Sequence, residues 1–176
     1  MWAGDLEAAR AAVADGASVR AQRAEDGQEP LHTACRFGQL NIAQWLHSAG
    51  ASVDATDNDE YTPLHLACMY GHLDVAKWLH GAGASVDAID SGGYTPLHGA
   101  CNWARFETAQ WLCSVGANAT LRTNDGRTPA QLLQRPDRTV QLDQQALRST
   151  LACLVRRAQA QGPLPCTTLP RGRRSS

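Results

Sequence analysis

Several sequence features are missing, and each absence argues against a class of protein. No run approaches the roughly 18 apolar residues of a membrane span. Residues 1–7, MWAGDLE, show neither the basic nor the apolar region of a secretory signal. The motifs Gly-x-Ser-x-Gly and His-Glu-x-x-His and a phosphate-binding glycine loop are also missing. We therefore expect a non-enzymatic protein with no catalytic residues and no membrane contact, in the cytoplasm or alternatively the nucleus.

Lysine is nearly absent as well, because Lys77 is the only one and the other basic residues are arginine. The formal net charge of −1 hides an uneven distribution. Residues 1–120 hold 14 acids and 6 bases, whereas residues 121–176 hold 10 arginines and 3 aspartates. An acidic body repels nucleic-acid phosphates. We therefore expect no nucleic-acid partner and favour a basic or neutral segment of a protein.

What the chain does contain is a repeated phrase. Residues 61–68 read YTPLHLAC, residues 30–35 read PLHTAC, residues 94–101 read YTPLHGAC, and residues 128–133 read TPAQLL. The prolines of these four copies are 33 positions apart. A fixed period of this length indicates an array of small structural units.

The Thr-Pro-Leu-His-x-Ala phrase at period 33, with a Gly-Ala pair at Gly50, Gly83 and Gly116, resembles the ankyrin repeat over roughly residues 3–135. The resemblance implies a β-turn and two antiparallel helices in each unit. We therefore expect an all-α repeat solenoid of stacked helix-turn-helix units joined by β-hairpin loops. It further implies that the repeated histidine bonds backbone in the neighbouring turn.

The period divides the chain into six predicted segments. They are a partial N-terminal repeat (1–26), three repeats (27–59, 60–92 and 93–125), a degenerate capping repeat with a helix at 139–160 (126–160), and a disordered basic tail (161–176). The first unit lacks a first helix, so we expect an uncovered apolar face and self-association there. The first hairpin loop, between Gly16 and Gly27, is one residue longer than the later ones, and we expect the extra residue among residues 20–24.

Each repeat also contains residues with more than one interpretation. Thr62, Thr95 and Thr128 precede the helical proline and are good N-caps, whereas Glu29 is a weaker one. The His-x-x-Cys pairs beginning at His32, His65 and His98 have metal-ligand chemistry. A closed zinc site needs four ligands that converge, so we expect neither a metal nor another cofactor. Trp45, Trp78 and Trp111 are interpreted as core residues rather than as a binding stripe.

The candidate partner-binding residues are those that vary between repeats at the end of the first helix and at the hairpin tips. The resemblance implies that they line a concave groove. We expect the large aromatics among them to face solvent and bind a partner protein in a scaffold or adaptor function. The alternative is a recognition or regulatory part of a larger enzyme or adaptor. The candidates are Gln28, Arg36, Phe37, Asn58, Asp59, Tyr61, Met69, Tyr70, Ser91, Tyr94, Asn102, Trp103, Asn124 and Arg127.

Overall fold

The structure is a computed structural model that describes Glu7 and residues 16–134 and 144–161. Eight helices and no strand are present in the 16–134 and 144–161 segments. The helices are α1 (Pro30–Arg36), α2 (Leu40–Ser48), α3 (Pro63–Tyr70), α4 (Leu73–Gly81), α5 (Pro96–Asn102), α6 (Phe106–Val115), α7 (Pro129–Leu133) and α8 (Gln144–Gln161). Of the predicted partial N-terminal repeat (1–26), the structure describes Glu7 and residues 16–26, and of the predicted basic tail (161–176) it describes Gln161.

The helices stack in two rows. The inner row is α1, α3, α5 and α7, in which each helix packs against the next, and the outer row is α2, α4, α6 and α8. Helices α1 to α6 form three inner–outer pairs within residues 27–125. This arrangement confirms the predicted helical solenoid. The predicted helix at 139–160 is present from Gln144, and residues 139–143 lie outside the described part.

The inner helices begin as the sequence predicts. In α3 the Thr62 hydroxyl accepts a hydrogen bond from the His65 backbone N–H, and the Thr62 N–H donates to His65 Nδ1 at 3.1 Å. Proline follows directly, where its missing N–H leaves no bond unmade. In α1 the N-cap is Glu29, whose Oε2 is buried without a hydrogen-bond partner among the described residues. That orphan oxygen agrees with the prediction of a weaker cap.

Finger-like loops connect each outer helix to the next inner helix. In the second finger the Asp57 N–H donates to the Tyr61 carbonyl at 3.1 Å, and the Glu60 N–H donates back to the Asp57 carbonyl. The first finger closes instead from Arg23 to Gln28, which is one residue longer. The extra residue of the first hairpin is therefore in this turn, within residues 24–27, so the predicted location at residues 20–24 is wrong except at Ala24. Adjacent fingers are joined by backbone hydrogen bonds, including one from Ser91 N–H to the Asp59 carbonyl at 3.1 Å.

One continuous core runs through the stack, because the repeats place the same residues in the same surroundings. Each of the first three inner helices buries a leucine, an alanine and a cysteine at the same positions of the repeat, which in α3 are Leu64, Ala67 and Cys68. The tryptophans of the outer helices are partly buried and pack against this core, as predicted. The five cysteines in the described segments are free thiols.

Candidate functional site

The face of the solenoid formed by the inner helices and the fingers is called the groove here. Three aromatic residues, 33 positions apart, lie where the inner helices end. Phe37 is 58% exposed, Tyr70 is 37% exposed and Trp103 is 46% exposed. The helix ends because the chain turns sharply there, as at Gly71, which adopts a left-handed conformation with φ of 82°. These aromatic side chains therefore form a ladder along the groove.

A charged side chain is inserted into the first part of this ladder. The guanidinium carbon of Arg36 lies 5.8 Å from the Phe37 ring centroid and 5.3 Å from the Tyr70 ring centroid. Both distances are within the range of cation–π attraction. Arg36 is thus held between two rungs, and the groove there presents a mixed cationic and aromatic surface.

The predicted binding residues of the fingers divide into a first group that makes contacts within or between fingers and a second group with exposed side chains. The Gln28 amide donates to Asp57 at 3.2 Å, and the Asn124 amide donates to the Ser91 carbonyl at 2.9 Å, so both join neighbouring fingers. Arg127 forms an ion pair with Asp125 at 2.8 Å. Other finger residues, Asn58 and Asp59, have exposed side chains. The first group has a structural task that the sequence did not reveal.

Tyr61 and Tyr94 were expected to face solvent without a packing role, and that expectation is wrong. Both are half-buried. The Tyr61 ring lies edge-on to the His65 ring at a centroid distance of 5.8 Å, and Tyr94 repeats this contact with His98 at 5.9 Å. Each tyrosine follows a finger directly and leads into an inner helix, which brings its ring over the histidine of the first turn.

The repeated histidines act as structural links. Nδ1 of His65 accepts the Thr62 N–H, and Nε2 lies 3.1 Å from the Tyr94 carbonyl of the next repeat. His32 makes the same link to the Tyr61 carbonyl at 3.0 Å. With both nitrogens engaged, these rings hold adjacent repeats together, as the resemblance implied. Among the described residues, no cluster of three or more His, Cys, Asp or Glu side chains has a metal-site arrangement.

The middle fingers are strongly acidic. The carboxylates of Asp57 and Asp90 are buried and accept backbone N–H groups of their own turns, while Asp59 and Glu60 are exposed. The pKa of Tyr61 is raised to about 12, first by burial and then by the negative charges of Asp90, Asp59 and Asp57. The groove between these fingers is therefore a region of negative potential.

A cavity of about 380 Å³ opens in the groove between α3 and α5. Of the predicted site residues, it brings together five: Tyr61, Met69, Tyr94, Asn102 and Trp103. Sequence reasoning did not include Gly99, which also lines this cavity. The available signal was its departure from the leucines at the equivalent positions, Leu66 and Leu132.

The fold and this surface define the class of the protein as a stacked-repeat helical solenoid with an aromatic, acidic groove. A family model described as "Ankyrin repeats (3 copies)" matches residues 1–90 and 31–125. The chain therefore belongs to the ankyrin-repeat family.

Two curated relatives show local similarity. The chain is 46% identical over 56 residues to human "Protein phosphatase 1 regulatory subunit 27" and 45% identical over 56 residues to the mouse protein of that name. Each match covers 32% of this chain and 36% of the relative, so the similarity spans about a third of each protein.

Within the described residues, no helix is both long and apolar enough to cross a membrane.

Proposed function

We propose that this chain is a non-catalytic adaptor that binds a segment of a partner protein in the groove. The observation that supports this most directly is the exposed aromatic ladder of Phe37, Tyr70 and Trp103. Aromatic residues are enriched among the residues that dominate protein–protein binding energies. The stack gains little from burying these three side chains, since they remain substantially exposed. A partner that covers them gains apolar contact area.

The charge of the groove supports a basic or neutral partner segment. Asp59 and Glu60 are exposed at a finger tip, and the carboxylates of Asp57 and Asp90 are buried in the same finger and in the next one. Complementary charge raises the association rate and selects against acidic competitors. The bound segment therefore has apolar or aromatic anchors for the ladder and basic residues toward the fingers.

The test is affinity capture with mass spectrometry, comparing the intact chain with the triple variant Phe37→Ala, Tyr70→Ala and Trp103→Ala. The matched control is Val155→Ala, because Val155 is an exposed apolar side chain on α8, in the outer row and outside the groove, at 50% exposure. Circular dichroism first establishes that both variants are folded. We expect partners that the control retains and the ladder variant loses. Partners retained by the folded ladder variant would refute binding in the groove.

A second candidate function is regulation of a protein phosphatase. It is favoured by the local identity to two proteins named as regulatory subunits of protein phosphatase 1. The direct test is pull-down of the purified catalytic subunit of protein phosphatase 1 with the intact chain, followed by measurement of its activity toward a phosphopeptide. Absence of binding at micromolar concentrations of both proteins would remove this candidate and leave the adaptor proposal standing.

A further inference from the structure

The cavity in the groove has an aromatic wall. Tyr61 and Tyr94 stand on the finger side, Trp103 stands at the end of α5, and Met69 and Gly99 lie between them. Its volume of about 380 Å³ is at the lower end of the roughly 300–1,000 Å³ typical of small-ligand pockets. It therefore has room for one long side chain of a partner rather than for a whole helix.

One residue that lines the cavity, Gly99, is smaller than its equivalents in the neighbouring repeats. At the equivalent position of the preceding and following repeats the chain has Leu66 and Leu132, which are 4% and 2% exposed. A Cβ atom built on Gly99 would lie 3.8 Å from the Met69 Cβ, which is an ordinary van der Waals contact. The backbone thus tolerates a side chain at this position. Glycine leaves the space empty that a leucine would occupy.

The charge around the cavity is negative. The Asp57 and Asp90 carboxylates accept the backbone N–H groups of Tyr61 and Tyr94, which both line the cavity. Burial and the charge of Asp90 raise the pKa of Tyr61. Among the described residues, no lysine or arginine lines the cavity. The guanidinium of Arg105 is bonded through Nε to the Met69 carbonyl at 3.2 Å. His65 contributes no positive charge at neutral pH, because burial lowers its pKa.

The chain itself shows which group suits such a surface. One repeat earlier, the guanidinium of Arg36 lies over the Tyr70 ring, and Trp103 occupies the repeat position of Tyr70. The residue in the position of Arg36 is here Met69. Guanidinium groups stack on aromatic faces more readily than ammonium groups do and are more weakly hydrated. Aromatic rings beneath a cation add electrostatic attraction, strongest for tryptophan.

We propose that the cavity lined by Tyr61, Tyr94 and Trp103 binds an arginine side chain of the partner segment. This rests on the proposed adaptor function and adds the residue class that the partner must present. The aliphatic part of the arginine lies against Met69 and Gly99. The guanidinium faces the aromatic rings and the finger carboxylates.

The first test is a nuclear magnetic resonance titration of the isotope-labelled full chain at low salt. The probes are N-acetyl-arginine amide, N-acetyl-lysine amide and N-acetyl-citrulline amide, the last being a neutral isostere of arginine. We expect saturable shifts of the Trp103 indole and Gly99 amide signals with arginine, weaker ones with lysine, and none with citrulline. Equal shifts with citrulline, or arginine shifts at the acidic fingers without Trp103, would overturn the proposal.

The second test uses variants at one position. Gly99→Leu fills the cavity as Leu66 does, whereas Gly99→Ala adds one methyl group and leaves most of the space. Both replace a glycine inside a helix, which favours folding. We expect Gly99→Leu to weaken arginine binding by about tenfold or more, with a thermal midpoint at or above that of the native chain. Unchanged binding in this variant would place the arginine elsewhere.

The two proposals fail in different ways. A captured partner that is retained by the folded Phe37→Ala, Tyr70→Ala, Trp103→Ala variant refutes binding in the groove altogether. A partner that this variant loses, but that Gly99→Leu binds with native affinity, refutes only the arginine pocket. A partner lost from both and retained by Gly99→Ala supports both proposals.

Discussion

Replacement of His65 tests the idea that the repeated histidine joins the repeats. The ring is 2% exposed and bridges two backbone groups. Its Nδ1 accepts the Thr62 N–H at 3.1 Å, and its Nε2 donates to the Tyr94 carbonyl of the next repeat at 3.1 Å. His65→Ala removes both partners at once. His65→Gln keeps one, since Gln131 Oε1 accepts the Thr128 N–H at 2.9 Å at the equivalent place in α7.

The magnitude follows from the groups left without a partner. A buried polar group that loses its hydrogen bond costs roughly 1–3 kcal/mol. His65→Ala leaves an N–H and a carbonyl unpaired, so we expect the free energy of unfolding to fall by about 2–6 kcal/mol. His65→Gln leaves only the Tyr94 carbonyl, so the expected loss is about 1–3 kcal/mol. Either loss is large beside a total domain stability of roughly 5–15 kcal/mol.

The assay is urea unfolding at pH 7.5, followed by circular dichroism and by tryptophan fluorescence. The expected order of stability is native, then His65→Gln, then His65→Ala. Equal losses in the two variants would show that the N-cap acceptor contributes nothing. A loss below about 0.5 kcal/mol in His65→Ala, the usual scale of surface substitutions, would refute the bridging role of the ring.

Three further predictions concern titration, thiol reactivity and the last helix. Burial lowers the pKa of His65 and His98, so the unfolded chain binds more protons than the folded chain below pH 6.5. The free energy of unfolding should therefore fall as the pH drops from 7.5 to 5.5, by up to about 1.4 kcal/mol per pH unit for each histidine. In urea unfolding, the double His→Gln variant should show a weaker dependence on pH. Burial raises the pKa of Cys68 and its repeat equivalents, so these thiols should react with Ellman's reagent only in urea; fast reaction in the native state would contradict their burial. Arg157→Ala should lower the unfolding free energy by about 1.5–3 kcal/mol, because Arg157 Nε donates to the Ala117 carbonyl at 3.2 Å. Exposed Arg156, bonded within its own helix, is the control, and equal melting midpoints of the two variants would refute that role.

Sequence periodicity predicted the stack because every repeat places the same residue types at the same positions of its helices. Proline at the start of an inner helix and threonine as its N-cap identify where a helix begins, so α3, α5 and α7 start where the phrase predicts. The extra residue of the first finger was also visible, since the distance between glycines counts residues directly. Its place was predicted too early in the loop, at residues 20–24, because only the hydrogen bond from Arg23 to Gln28 locates it within residues 24–27.

The candidate site was less predictable, because a variable position does not reveal what its side chain contacts. Tyr61 and Phe37 both vary between repeats, yet Tyr61 packs on a histidine whereas Phe37 is mostly exposed. Gln28 is likewise used to join fingers. Gly99 was not predicted, because the candidates were chosen as large side chains, whereas Gly99 lines the cavity by leaving space where a side chain would be.

The position of helix α8 and the number of ladder residues indicate which length of partner segment the described part of the groove can hold. Helix α8 covers α6 through polar contacts that a repeat helix does not make: the Gln110 amide donates to the buried Thr150 hydroxyl at 2.9 Å, and Gln161 accepts the Ala119 N–H at 3.0 Å. Those bonds place α8 in the outer row, away from the groove. Among the described residues, the last helix of the inner row is the five-residue helix α7, which ends at Leu133. The aromatic ladder therefore has three described rungs, from Phe37 to Trp103, and a segment that spans three repeats can contact all of them.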